Sequence, residues 1–164
     1  MKEIFHRISV RCYEDRPVDK ALAEQVIRAA MAAPSAGNQQ PWEFYVVTRK
    51  ETLEALSKVS PYASCLAGAP LGIAAVYRED GRWPQYCPQD MGAASQNLLL
   101  AADSLGLGSV WLGIAPLEER MSAAASILGL PEGQQVFALF PLGWPAESRP
   151  QEDRFKPERI HYID

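Results

Sequence analysis

The longest periodic stretch of this sequence is a run in which small and apolar side chains recur at helical spacing. Over residues 88–107 they are Met91, Ala94, Leu98, Ala101, Ala102 and Leu105. Spacings of three and four residues place them on one face of a helix. Small side chains let another backbone approach that face closely, either within the chain or across a subunit interface. The pattern predicts a long helix that packs tightly along one side and ends at Gly106.

Shorter segments on both sides of this helix alternate between helical and extended patterns. Asp19 can cap a first helix and Pro34 stops it. The periodicities predict further helices at 19–33, 50–59 and 117–128, and strands at 43–48, 71–77, 109–114 and 135–142. With 164 residues, the chain has the size of a single domain that spans residues 1–164.

Composition and charge exclude several classes of protein. The chain is 48% hydrophobic and 22% charged, and none of its apolar runs approaches the length of a membrane-spanning helix. Its net charge is −4 and none of its basic runs exceeds two residues, so we expect neither a nucleic-acid partner nor a membrane partner. The first residues lack the apolar core of a secretory signal, which predicts a cytoplasmic protein.

Cysteine and histidine are too sparse for a metal site or a disulfide framework. The three cysteines, Cys12, Cys65 and Cys87, form no Cys-x-x-Cys pair, and the two histidines lie at opposite ends of the chain. An odd number of distant cysteines indicates reduced thiols. We therefore expect no metal.

Two polar motifs near the N-terminus suggest a binding site for an anion beside a flat heterocycle. Arg7, Ser9 and Arg11 alternate, so in an extended segment they share one face and could bind phosphate oxygens. The loop at 34–42 is rich in amide side chains. Taken alone, the alternating charges are more typical of a solvated face, and the loop is an ordinary turn.

The familiar catalytic and nucleotide-binding motifs are absent from the sequence. It contains no P-loop, no Gly-x-Ser-x-Gly and no His-Glu-x-x-His. Gly106-Leu107-Gly108 follows a helix and lacks the last glycine of a dinucleotide fingerprint. Since no side chain stands out as catalytic, the chemistry would belong to a cofactor.

Five motifs, taken in order, carry a resemblance to a known family. They are Arg7-x-Ser9-x-Arg11-x-Tyr13, Pro34-Ser35-x-x-Asn38-x-Gln40-Pro41-Trp42, Asp90-x-Gly92-Ala93-Ala94-x-Gln96-Asn97, Gly106-Leu107-Gly108-Ser109-Val110-Trp111-Leu112-Gly113 and Leu142-Gly143-Trp144-Pro145-Ala146-Glu147. Together they resemble the nitroreductase family of flavoenzymes over nearly the whole chain.

The resemblance implies an α+β fold in which helices wrap a mostly antiparallel central sheet. It also implies an intertwined homodimer with one flavin mononucleotide (FMN) at each of two interface sites, so that each site takes residues from both chains. Position by position, Arg7, Ser9 and Arg11 would bind the phosphate and the polar edge of the ring. Pro34, Ser35 and Asn38 would come from the partner subunit.

The resemblance also assigns roles to later segments. Gly113 and Ile114 would direct backbone N–H groups at the flavin ring, and Arg154 and Lys156 would close on the phosphate. Residues 146–164 are polar up to an apolar end, which predicts a C-terminal extension that docks on the dimer. Trp83 and Tyr86 fall where relatives carry substrate-covering segments, although they could equally be ordinary loop and core aromatics.

The activity that follows from the resemblance is an FMN-dependent oxidoreductase. It would take hydride from NADH or NADPH and pass it, by a ping-pong mechanism, to a small-molecule electron acceptor such as a nitroaromatic compound or a quinone. Two alternatives stay open. One is a non-catalytic flavin-binding protein, and the other is a specialised family member such as a reductive dehalogenase or a flavin-degrading enzyme.

Overall fold

The predicted long helix is the central helix of the fold. The computed structural model of the protein describes residues 1–163, and in it helix α3 runs over Cys87–Ser104. Met91, Ala94 and Leu98 on its predicted face are fully buried. They belong to a core cluster that also contains Val26 and Ala30 of helix α1, Lys20–Met31. The small residue at position 94 therefore serves packing within the chain.

The remaining helices begin and end at residues suited to helix termini. The Asp19 side chain accepts a hydrogen bond from Ala21 N–H at the start of α1, as predicted. Helix α2 spans Lys50–Leu56 and buries Leu53 and Leu56. Helix α4 spans Glu118–Leu128 and ends at Gly129, whose φ of 65° is in the left-handed region. Among residues 1–163, no helix is both long and apolar enough to cross a membrane.

Within residues 1–163, five strands form one antiparallel sheet. The strands are β1 (Trp42–Val47), β2 (Leu71–Arg78), β3 (Gly108–Ser109), β4 (Leu112–Gly113) and β5 (Gln134–Gly143). Their order is β1-β2-β5-β3, and β4 also pairs with β5. All pairings are antiparallel, which confirms the predicted α+β class and antiparallel sheet.

The sheet is covered on both faces. Ile73 and Ala75 of β2 lie in the cluster with α1 and α3, whereas Ala74 and Val76 lie in a second cluster with α2 and α4. Alternate side chains of a strand point to opposite faces, so a continuous apolar run is expected in a strand buried on both sides. Strands β2 and β5 are therefore buried on both faces and form the centre of the core.

The predicted strand at 109–114 is interrupted. The structure places two short strands there, with Val110 and Trp111 between them. The register that pairs Ser109 with Leu142 and Leu112 with Leu139 puts Val110 opposite Pro141. Proline has no N–H to donate to the ladder, so the hydrogen bonding stops at this point.

The C-terminal extension lies partly against its own chain. The Gln151 side-chain amide donates to the carbonyls of Ile4 and Arg7, at 3.0 and 2.7 Å. By contrast, the apolar end is exposed in the single chain, with Tyr162 85% and Ile163 97% accessible. Docking of this end on a partner subunit stays a prediction.

Packing at the end of β5 yields a stability test. A Cβ atom on Gly143 would lie 2.7 Å from Pro70 Cδ and 2.8 Å from Tyr13 Cδ1. We expect Gly143→Ala to lower the free energy of unfolding by about 1–3 kcal/mol in urea titrations, because the site cannot accept a methyl group. Gly68→Ala is the control, since a Cβ there meets nothing within 4 Å. Equal stability of the two variants would contradict the packing described.

Candidate functional site

The N-terminal segment that carries the Arg-x-Ser-x-Arg motif is held against the edge of the sheet. Val10 is buried and its N–H donates to Ser109 O at 3.0 Å. A Cβ on Gly108 would come within 2.7 Å of Val10, so a glycine is needed for the segment to approach β3 this closely. Arg7, Ile8 and Ser9 are half-buried, Val10 is buried, and Arg11 is exposed.

The carboxylate of Glu147 fixes the same segment from the other side. Its Oε1 accepts the backbone N–H groups of Arg11 and Cys12, and Ala146 N–H donates to Cys12 O at 3.0 Å. The hydrogen bond from Arg11 N–H, and then that from Cys12 N–H, lower the pKa of Glu147 below its ordinary value. Glu147 was part of a sequence motif but was not predicted to have this role.

Two ends of the sequence meet in a polar cavity of about 160 Å³. The residues that line it are Arg7, Ile8, Ser9, Arg149, Pro150, Gln151, Glu152 and Arg154. Three guanidinium groups and one hydroxyl form a donor set suited to a phosphate group. Arg7, Ser9 and Arg154, which the family resemblance assigns to a phosphate site, thus line one cavity. Arg149 and Gln151 were missed because their segment has no periodicity to place them.

A second cavity, of about 400 Å³, lies at the edge strand β4. Its lining residues are Arg11, Tyr62, Ser64, Trp111, Leu112 and Gly113. Gly113 is exposed, and a Cβ there would meet nothing within 4 Å, so the chain itself leaves this backbone open to approach. The cavity combines a cation, aromatic rings and open backbone, which suits a flat polar ring.

The backbone N–H groups of Gly113 and Ile114, which were both predicted to face a ring, are not equally free to bind a ligand. Ile114 is fully buried and its N–H donates to Phe137 O at 3.2 Å. Hydrogen-bonded and non-hydrogen-bonded pairs alternate along an antiparallel ladder, so the N–H of Gly113 points away from β5. The prediction for this edge therefore rests on Gly113, since the N–H of Ile114 is already bonded within the sheet.

The other predicted residues lie elsewhere in the single chain. Pro34, Ser35 and Asn38 belong to the loop after α1, and none of them lines either cavity. Trp83 is hydrogen-bonded to Gln39 of this loop and is 39% exposed, and Tyr86, three residues further along the chain, is 41% exposed. One chain therefore presents two separate groups of predicted site residues.

Lys156 stands apart from both groups. It is exposed and, among the described residues, it is not one of those that line the two cavities. Within residues 1–163, no three histidine, cysteine or acidic side chains lie close enough to hold a metal ion. The polar groups that line the two cavities are guanidinium, hydroxyl and amide groups and the carboxylate of Glu152, and aromatic rings line the second cavity.

Comparison with known proteins identifies the family of this chain. The model of the nitroreductase family matches residues 4–64 and 57–144. A protein of Archaeoglobus fulgidus, provisionally named NADH dehydrogenase/NAD(P)H nitroreductase, is 43% identical, and the match covers 98% of this chain and 95% of that protein.

Two solved structures show the same fold. A provisionally named NADH oxidase from Clostridium acetobutylicum is 41% identical with a TM-score of 0.95, and 99% of each chain is covered. A nitroreductase from Desulfovibrio desulfuricans, solved in complex with FMN, is 29% identical with a TM-score of 0.85, covering 99% of this chain and 95% of that one.

The role of Glu147 predicts a pH-dependent contribution to stability. A carboxyl group whose pKa is lowered on folding stabilises the protein above its unfolded pKa, about 4.3, and that stabilisation is lost as the pH falls further. We expect Glu147→Gln to cost about 1 kcal/mol at pH 7, a value reduced for solvent exposure, and the difference to vanish in acid. Thermal unfolding from pH 7 to pH 3 measures it.

Glu24 provides the control, because Glu24→Gln removes the same charge from an exposed side chain that makes no hydrogen bond within residues 1–163. A Glu147→Gln penalty that stays constant down to pH 3 would contradict the assigned role.

Proposed function

The chain belongs to the nitroreductase family, and on this basis we propose that it is an FMN-dependent oxidoreductase which oxidises NADH or NADPH and reduces a small organic acceptor such as a nitroaromatic compound or a quinone. The observation that carries the proposal is the convergence of Arg7, Ser9 and Arg154 on one cavity from opposite ends of the sequence. When bound, FMN supplies the electron chemistry, accepting hydride from the nicotinamide and giving it to the acceptor, with the two substrates binding in turn.

The polar cavity is the proposed phosphate site. A terminal phosphate carries a charge of about −2 and needs several donors, which Arg7, Arg149 and Arg154 can provide together with the Ser9 hydroxyl. Gln151 orders this cavity, because its amide ties the tail to the carbonyl of Arg7. A site that encloses a terminal phosphate favours FMN over a dinucleotide.

The neighbouring cavity is the proposed ring site. Arg11 supplies a fixed positive charge where the polar edge of the ring would gain negative charge on reduction. Its backbone is held in place by Glu147. The outward N–H of Gly113 supplies a hydrogen-bond donor at close range, since no side chain intervenes.

We propose that a second copy of the chain completes each site. Pro34, Ser35 and Asn38 do not line either of the two cavities in one chain, and the family resemblance assigns them to the partner's cofactor. Trp83 is hydrogen-bonded to Gln39 of that loop and Tyr86 lies three residues further along the chain, so we infer that both cover the acceptor. The proposed enzyme is therefore a homodimer with two composite sites.

The reaction is tested by anaerobic reduction. We expect the FMN-loaded protein to lose its oxidised flavin absorbance when NADH or NADPH is added without oxygen, and to regain it when menadione follows. Free FMN at the same concentration is the control for direct reduction. A flavin spectrum that neither nicotinamide changes would support a non-catalytic flavin-binding protein instead.

The phosphate assignment predicts the effect of removing one guanidinium. We expect Arg7→Ala to weaken FMN binding by about 2–4 kcal/mol, because a charge-assisted hydrogen bond is lost from a partly buried site. Fluorescence titration of the apoprotein gives the dissociation constant. Arg49→Ala, at an exposed position outside both cavities, is the charge-matched control. Unaltered affinity in Arg7→Ala would reject the assignment.

The ring assignment predicts a variant with a selective defect. Since a Cβ on Gly113 meets nothing within the chain, Gly113→Ala should leave the melting temperature within about 2 °C of the parent. The same methyl group would lie between the backbone and a bound ring, so we expect FMN to bind at least tenfold more weakly. Full FMN affinity in this variant would place the ring elsewhere.

A further inference from the structure

The side-chain amide of Gln39 pairs with the backbone of one residue in a different segment. Its Oε1 accepts the N–H of Trp83 at 3.0 Å, and its Nε2 donates to the carbonyl of Trp83 at 3.0 Å. Both backbone groups of Trp83 are thus bonded to a single side chain, as a neighbouring strand would bond them, and the Trp83 carbonyl also accepts the N–H of Tyr86 at 3.0 Å. The loop after α1 is thereby joined to the segment that precedes α3.

The carboxylate of Asp90 also accepts a hydrogen bond from the side-chain amide of Gln39. Asp90 is 5% exposed, and its Oδ2 accepts from Gln39 Nε2 at 2.7 Å while its Oδ1 accepts the backbone N–H of Ala36 at 2.9 Å. Each oxygen of Asp90 thus accepts a hydrogen bond from one donor. A carboxylate fits this position because it only accepts hydrogen bonds, whereas the amide of an asparagine would direct an N–H group at one of the two donors. Asp90 therefore links the loop backbone to Gln39 and, through it, to Trp83.

The backbone of the loop is shaped to fit this arrangement. Gly37, Asn38 and Gln40 have φ of 55°, 57° and 47°, in the left-handed region that residues with side chains rarely adopt. A Cβ on Gly37 would lie 3.0 Å from the indole Nε1 of Trp83, so the indole rests directly on the loop. Such conformations persist where surrounding contacts determine them, and the Gln39 and Asp90 hydrogen bonds do so here.

We propose that Gln39 and Asp90 are positioning residues that lock the cofactor-binding loop, residues 34–40, to the acceptor-covering segment, residues 79–87, so that the two move as one unit. This inference rests on the proposed function for the roles of the two segments, while the coupling itself rests on the hydrogen bonds. Neither side chain is required to touch the cofactor or the acceptor. Their effect is to keep Trp83 at a fixed place relative to Ser35 and Asn38.

The hydrogen-bonded connection between the two segments has a functional consequence for an enzyme whose two substrates use one site in turn. A covering segment that is free to swing away would leave the acceptor unoriented on the ring, and orientation contributes strongly to the rate of hydride transfer. Because Trp83 is tied to the loop that would contact the flavin, cofactor binding and acceptor positioning depend on the same four hydrogen bonds.

A substitution at Gly81 can disturb the connection between the two segments without altering Gln39 or Asp90. A Cβ at this position would lie 2.7 Å from Gln39 Oε1, the end of a flexible side chain that can move away. Gly81→Ala should therefore displace the amide from Trp83 N–H while leaving the core and the buried Asp90 in place. We expect its melting temperature to stay within about 2 °C of the parent.

Hydrogen exchange followed by NMR tests the coupling directly in the FMN-loaded protein. We expect Gly81→Ala to speed amide exchange about tenfold both at Trp83, whose bond is removed, and at Ala36, whose bond to Asp90 is untouched by the substitution. Faster exchange at Trp83 alone, or at neither position, would overturn the proposal. This measurement does not require turnover, so it stands even if the proposed activity fails.

Steady-state kinetics with menadione and NADH tests the functional consequence. We expect Gly81→Ala and Gln39→Glu each to raise the KM for menadione about tenfold, with a smaller change in the rate of anaerobic flavin reduction by NADH. In Gln39→Glu a carboxylate replaces the donor that faces Asp90 and the Trp83 carbonyl, which makes both contacts repulsive.

Gln89→Glu is the matched control, because it adds the same charge at an exposed position one residue from Asp90. A KM for menadione that is unchanged in both test variants would overturn the functional part of the proposal. A parent protein that does not oxidise NADH at all would instead contradict the proposed function, and the exchange measurement would then decide the coupling alone.

Discussion

Strand β5 is the element on which the rest of the structure depends, because it pairs along both edges. On one side it carries β2 and, through it, β1, and on the other it carries β3 and β4. Most of its residues are buried, so its register is fixed by burial on both faces. Removing this strand would separate the two halves of the sheet.

The same strand places the candidate site. Immediately beyond its end, Trp144 O accepts the N–H of Glu14, and Glu147 accepts the N–H groups of Arg11 and Cys12. The N-terminal segment is therefore tied to the exit of β5, and the chain that continues from it delivers Arg149 and Arg154 to Arg7 and Ser9. The edge strand β4, which also pairs with β5, lies at the neighbouring cavity. A cation cluster made from both ends of the sequence results from this single strand.

Much of the fold was predictable from the sequence, because its signals are local. Asp19 as a cap and the apolar stripe of α3 act through neighbouring residues, and both lie in the predicted type of element. The break at Val110 was not predictable, since it arises from the absent N–H of Pro141 in another strand. A proline affects its partner only once the register is known.

In the candidate site, too, some residues could be identified from the sequence and others only from tertiary contacts. Arg7, Ser9 and Arg154 were identified by a family pattern, whereas Arg149 and Gln151 are placed by tertiary contacts in a segment without periodicity. The hydrogen bond from Ile114 N–H to Phe137 likewise depends on the pairing of two strands. Long-range contacts of this kind leave no trace in local sequence.

The central claim is that each flavin site is built from two chains, and mixed dimers test it most directly. One chain would carry Arg7→Ala and the other Asn38→Gly, which removes a side chain but suits the positive φ at that position. Each variant alone damages both sites of its own dimer, whereas a mixed dimer, purified through two different affinity tags, has one intact site and one doubly damaged site. The account predicts that the mixed dimer binds FMN at half the parental stoichiometry with parental affinity. Two equally weakened sites in the mixed dimer would contradict it.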